Sequence, residues 1–204
     1  MGLGLLWCLA CYREPELNLD PAETLVLVHA NPWNTLDPRF VTDAMGAKIS
    51  GLVYEPLYRV ERMDGEPEAV LATGIRRLPG DEPRYRVSLR PGVRFHDGGA
   101  LDCHDVVFTY RSILDPAVGS PFQGGYARKW RGVSCGPTES EVDFRLAEDY
   151  AHLVTDLALG IVPAPAPSSA AAGSPGEPVS TWIGTGPFRF VSAQGEHRAL
   201  LERF

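Results

Sequence analysis

The 204-residue chain carries 19 basic and 26 acidic side chains, a formal net charge of -7, and is 44% apolar. That balance excludes wholesale disorder, and it offers no basic face for nucleic acid or an anionic membrane surface. No apolar run approaches the roughly 20 residues of a spanning helix, so only the extreme N-terminus is membrane-directed in character.

Met1 to Ala10 reads MGLGLLWCLA, an apolar stretch sized for a secretory signal but with no Lys or Arg ahead of it. Cys8-Leu9-Ala10-Cys11 resembles a bacterial lipoprotein cleavage box, with the small Ala10 before Cys11 and Cys8 where a Leu is usual. Residues 1–11 are therefore read as a signal, with Cys11 as the lipid-attachment site of an exported chain. The same residues spell C-x-x-C, but no second pair has zinc-finger spacing, which disfavours a metal or redox reading. Cys103 and Cys135 read as two small buried apolar residues in preference to a disulfide.

Leu25-Val26-Leu27-Val28 reads as a buried strand that runs into an aromatic loop, His29 to Pro38. From Thr42 the apolar positions Ala44, Ala47, Ile49, Leu52 and Val53 predict a helix, capped by Thr42 or Asp43 and ending before Pro56. Leu57 to Val60 and the alternating Tyr85 to Leu89 predict strands, with turns at Met63-Asp64-Gly65 and Pro79-Gly80-Asp81. Pro91-Gly92 has the residue types of a type II turn, after which Val93 and Phe95 should continue on one face.

Asp102 is a natural N-cap for the strongest helix signal, in which Cys103, Val106, Val107, Tyr110, Ile113 and Leu114 form one apolar stripe before Asp115-Pro116. Gly132 to Leu146 predicts a hairpin, and Tyr150 to Leu159 a helix. The proline-rich stretch from Ile161 to Val179 predicts an extended connection across a surface. A tight turn, Gly184-Thr185-Gly186-Pro187, then leads into a strand at Phe188 to Val191, with Ala199 to Phe204 as its partner.

Several short motifs occur in one order along this chain: Thr35-Leu36-Asp37-Pro38, Val53-Tyr54-Glu55-Pro56-Leu57, Leu71-Ala72, Leu89 to Gly98 (LRPGVRFHDG), Asp105-Val106-Val107-Phe108-Thr109, Ile161-Val162-Pro163 and Gly184 to Phe188 (GTGPF). Together they resemble the family 5 extracellular solute-binding proteins of ABC transporters, which include dipeptide, oligopeptide and nickel binders. The resemblance implies an α/β, periplasmic-binding-protein-like (type II) architecture, of which this chain is the N-terminal portion. A mixed-sheet lobe and a small α+β extra domain would be present and the second lobe missing. Residues 12–41 would open the ligand-binding lobe, 42–160 form the extra domain, 161–183 connect, and 184–204 return to the lobe.

The same resemblance implies a periplasmic or extracytoplasmic binder of a short peptide or related small solute. ABC permease subunits would be its partners, membrane contact would come only through a lipid anchor, and no cofactor, metal or nucleic acid would be involved. Asn31, Pro32, Trp33 and Asn34 would sit at the cleft rim, with Trp182 and Ile183 on the hinge side; packing of Trp33 against the lobe is the competing reading. Two other classes compete: a sensory module reusing the fold, and a hydrolase using His96, Asp97 or Asp105. Against the latter, H-E-x-x-H, G-x-S-x-G and S-x-x-K are all absent.

Overall fold

A computed structural model describes residues 32–60, 66–165, 182–194 and 198–204. The signal-like segment, Cys11, the strand at Leu25 to Val28, Asn31 and the turn at Met63 to Gly65 lie outside these residues. Among them, no helix is long and apolar enough to cross a membrane.

The first helix, α1 (Ala44–Val53), begins where Asp43 accepts from the Gly46 amide at 2.6 Å. Its buried positions are Gly46, Ser50 and Val53, whereas Ala44 and Ala47 are exposed and Ile49 and Leu52 half-buried. Of the apolar face read from the sequence, only Val53 is buried. Small residues lie inward because the chain packs close: a Cβ on Gly46 would fall 2.7 Å from the Thr35 carbonyl.

Short strands β1 (Tyr58–Arg59) and β2 (Glu68–Ala69) pair with each other. A four-stranded antiparallel sheet follows, built from β3 (Ala72–Arg77), β4 (Arg84–Leu89), β5 (Trp130–Cys135) and β6 (Glu141–Leu146) in the order β3-β4-β6-β5. Gly80, with φ 124°, sits in the turn between β3 and β4. Arg86 faces Asp143 across β4 and β6, and the two close a bidentate ion pair at 2.6 and 2.7 Å.

Helix α2 (Cys103–Leu114) packs on β5 and β6. Its start is a capping box: Asp102 accepts from the His104 amide, and Asp105 accepts from the Asp102 amide. Its stripe supplies Val106, Tyr110 and Ile113, all fully buried, to a core shared with Phe95, Phe144, Trp130 and Leu57. Gly92 takes φ 77° as a type II turn demands, yet no strand follows it; Arg94 makes only an isolated bridge to Ala100, and Phe95 turns into the core.

Cys103 and Cys135 form a disulfide with Cα atoms 5.3 Å apart, which corrects the reading of two unlinked apolar residues. The adjacent packing of α2 on β5 brings together positions that a sequence cannot bring together. Closing a loop with a sequence separation of 32 stabilises the fold by about 3 to 4 kcal/mol in the chain-entropy account.

Three further differences have local causes. Helix α3 (Gln123–Lys129) was not legible, because Gly124 and Gly125 lower its propensity. The helix predicted over Tyr150 to Leu159 shrinks to one turn, α4 (Leu153–Asp156). The Asp156 carbonyl accepts from the Tyr126 hydroxyl at 2.7 Å and the Leu157 carbonyl from the Tyr58 amide, so neither continues a helix. In the predicted surface connection, Ile161 and Val162 are buried, tied by the Ile161 amide to the Glu55 carbonyl. The hairpin of β7 (Phe188–Gln194) and β8 (Arg198–Arg203) closes the chain as expected.

Candidate functional site

The loop at Thr35-Leu36-Asp37-Pro38, the end of α1 and the turn at Gly184 to Pro187 converge on one small core. Val53, Tyr54 and Val162 are its buried centre, with Phe108, Trp182, Phe190 and Leu201 packed around them. Leu36 is fully buried, and Asp37 holds Arg39 through a 2.6 Å ion pair, which leaves the Arg39 guanidinium lying over Phe40 and Phe108.

Gly184 and Gly186 are required by contact, not by turn geometry. A Cβ on Gly184 would collide with the Val53 carbonyl, and one on Gly186 would fall 2.5 Å from the Leu52 carbonyl. The Gly186 amide donates to the Val53 carbonyl at 2.8 Å. The crossing therefore runs backbone against backbone past the C-terminal end of α1.

His96 completes the junction. Its amide donates to the Gly184 carbonyl at 2.9 Å, its Nδ1 accepts from the Gly184 amide at 3.3 Å, and its Nε2 lies 2.9 Å from the Gly186 carbonyl. Those partners set Nδ1 as the acceptor and Nε2 as the donor of the ring. Asp97 accepts from the Gly99 amide at 2.9 Å, shaping the turn beside it. The LRPGVRFHDG motif thus reaches the GTGPF motif directly.

The aromatic residues singled out in the sequence meet at the same place. Trp33 is 4% exposed and packs edge to face on Trp182, with ring centroids 5.9 Å apart. Trp182 in turn packs on Phe190 at 4.6 Å. Pro32 and Asn34 are exposed, and the Asn34 amide donates to Asp43 at 3.2 Å. Ile183 is half-buried against the main core. Two buried polar atoms in this region, Trp182 Nε1 and Thr185 Oγ1, have no hydrogen-bond partner among the described residues.

A separate open groove of about 280 Å³ lies along α1, with Pro38, Ala47, Gly51, Tyr54 and Leu159 among its walls and Arg59 at its side. None of the predicted site residues lines it. Sequence reasoning missed Tyr54, whose hydroxyl burial holds protonated well above the ordinary phenol range. The adjacent motif VYEPL carried it, but as a family marker only.

Two of the three groups named for a hydrolase, Asp105 and His96, are engaged by backbone. Both Asp105 oxygens accept backbone amides, from Asp102 at 2.9 Å and Ala164 at 2.7 Å, and burial pushes its pKa up. Both His96 ring nitrogens engage the crossing.

The profile of the bacterial extracellular solute-binding proteins, family 5, matches residues 66–204. A stretch of 101 residues, 49% of this chain and 18% of the relative, is 34% identical to the probable deoxycholate-binding periplasmic protein YgiS of Escherichia coli K12. The fold is similar to the ABC transporter substrate-binding protein CtaP of Listeria monocytogenes, with a TM-score of 0.72 and 26% identity over 87% of this chain and 36% of that one. The periplasmic binding protein DppA of Helicobacter pylori, solved with the peptide STSA, shares the fold at a TM-score of 0.68 and 23% identity, over 85% of this chain and 37% of its own. The chain thus spans little more than a third of the solved relatives it matches. With its mixed α/β fold and that profile, the chain belongs to the family 5 bacterial extracellular solute-binding proteins.

Proposed function

We propose that this chain is part of the substrate-binding component of an ABC importer, exported to the periplasmic or extracytoplasmic space and tethered there through Cys11. It binds a small solute, a short peptide in the first instance, without covalent chemistry. The solute favours the closed form of a hinged cleft, and permease subunits read that form. Residues 42–160 act as the extra domain and 184–204 as the return to the ligand-binding lobe. Asn31, Pro32, Trp33 and Asn34 line the rim, with Trp182 and Ile183 on the hinge side.

The observation that supports this reading is the meeting of Trp33 with Trp182 beside the Gly184 crossing, which joins the loop after residue 31 to the returning strand pair. An aromatic pair beside the crossing suits a peptide, whose side chains need tolerant apolar cover. The 34% identical stretch shared with a probable deoxycholate binder favours a second ligand class, a rigid amphipathic carboxylate.

Uptake by the source cell tests both. A strain lacking the whole gene should lose uptake of labelled tripeptides, recovered on complementation. Loss of deoxycholate uptake with peptide uptake intact would select the second class, and unchanged uptake of both would refute the transport reading.

A further inference from the structure

We infer that Cys103, His104 and Cys135 form a site for one thiophilic divalent cation, closed while the two cysteines are bridged and opened by a dithiol reductant. The three donor atoms lie within 4.8 Å of one another. His104 Nδ1 is 3.7 Å from the Cys135 sulfur, and among the described residues the ring has no other hydrogen-bond partner. It is exposed, so nothing about packing requires it to face the bridge.

The scaffold holds the donors independently of the S–S bond. Cys103 and His104 open α2, where the His104 amide is fixed on Asp102 at 2.7 Å. The Cys103 amide donates at 2.7 Å to the Glu139 carbonyl, in the turn that follows Cys135 at the end of β5. Two thiolates and an imidazole are the donor set of zinc sites that keep a fourth position for water. Their bond lengths place tetrahedral donors about 3.5 to 3.8 Å apart. The His104 to Cys135 separation of 3.7 Å already meets that spacing. The sulfurs must part to ordinary non-bonded contact, and Cys103 must settle at the same spacing from His104, to which it now lies within 4.8 Å.

Opening is a two-electron exchange. A dithiol attacks Cys135, the half-exposed sulfur, since Cys103 is only 1% exposed. The S–S bond breaks, a mixed disulfide forms and Cys103 leaves as thiolate. The second sulfur of the reductant then displaces Cys135 and departs as a cyclic disulfide. The two protons of the reductant pass to the protein sulfurs and are released to solvent as the cation binds.

The test uses the full chain with Cys8→Ser and Cys11→Ser, so that no other cysteine competes. Cobalt(II), followed by displacement with zinc(II), is titrated into anaerobically reduced and into oxidised protein. Reduced protein should bind one equivalent with thiolate-to-cobalt charge-transfer absorption, and oxidised protein should show none. His104→Ala should weaken binding at least tenfold while leaving the bridge and the helix cap intact in its oxidised form. The inference is overturned if reduced protein binds no more tightly than Cys103→Ser/Cys135→Ser, if His104→Ala binds as wild type does, or if circular dichroism shows that reduction unfolds the chain.

Discussion

Trp33 and Trp182, far apart in the sequence, meet edge to face with ring centroids 5.9 Å apart, and the first of them is almost wholly buried. A buried Trp contributes to the fold before it contributes to any ligand. Trp33→Ala should therefore cost about 3 to 5 kcal/mol in denaturant unfolding, through lost burial and the cavity left behind. Trp182→Phe should cost much less, because it also removes an indole N–H that is buried without a partner among the described residues. Equal losses for the two variants would contradict this packing.

The crossing at Gly184 predicts opposite signs for the same chemical change. Gly184→Ala places a methyl group into the Val53 carbonyl and should destabilise by about 1 to 3 kcal/mol, as overpacking does. Gly51→Ala, in the interior of α1 with no atom near its new Cβ, should stabilise by roughly 0.5 to 1 kcal/mol. Thermal melts of the two variants decide the matter, and melting temperatures that move in the same direction would count against it.

His96 ties the turn after β4 to the crossing through both ring nitrogens. His96→Ala leaves the Gly184 amide and the Gly186 carbonyl without those partners, at a cost of about 2 kcal/mol. Hydrogen exchange should accelerate across β7 and β8 while the amides of β4 and β6 keep their protection. Uniform acceleration through both regions would show that His96 supports the whole fold and not this junction.

Burial raises the pKa of Tyr54, Tyr110 and Tyr126 above the ordinary phenol value, with the Asp156 charge adding to it at Tyr110 and Tyr126. A phenol whose folded pKa exceeds its unfolded one contributes stability that is complete below the unfolded value of about 10 and lost as pH climbs toward the folded value. Stability should therefore hold up to about pH 10 and then fall. Phenolate absorbance of these three should rise together with loss of circular dichroism. Reversible ionisation of all the tyrosines in a chain that stays folded would exclude it.

Much of this architecture was legible in local chemistry. Asp102 and the stripe from Cys103 to Leu114 announced α2, and the alternation at Tyr85 to Leu89 and Val142 to Leu146 announced two central strands. What stayed hidden depends on partners distant in sequence. The short α4 follows from Tyr126 and Tyr58 taking its carbonyls, and the inward face of α1 follows from backbone packed against Gly46. Of the candidate site, the sequence pointed to Trp33 and Trp182 separately, but their contact and the His96 link come from the fold alone. The groove beside Tyr54 was invisible because Pro38, Gly51 and Leu159 carry no pattern that joins them.

Native mass spectrometry of the whole gene product, purified from its own host, tests the central claim most directly. Capture of a solute requires one small molecule per chain, lost on gentle unfolding and recovered at unchanged mass when added back. A product that differs in mass from the molecule supplied would show chemistry instead of carriage, and would contradict the account.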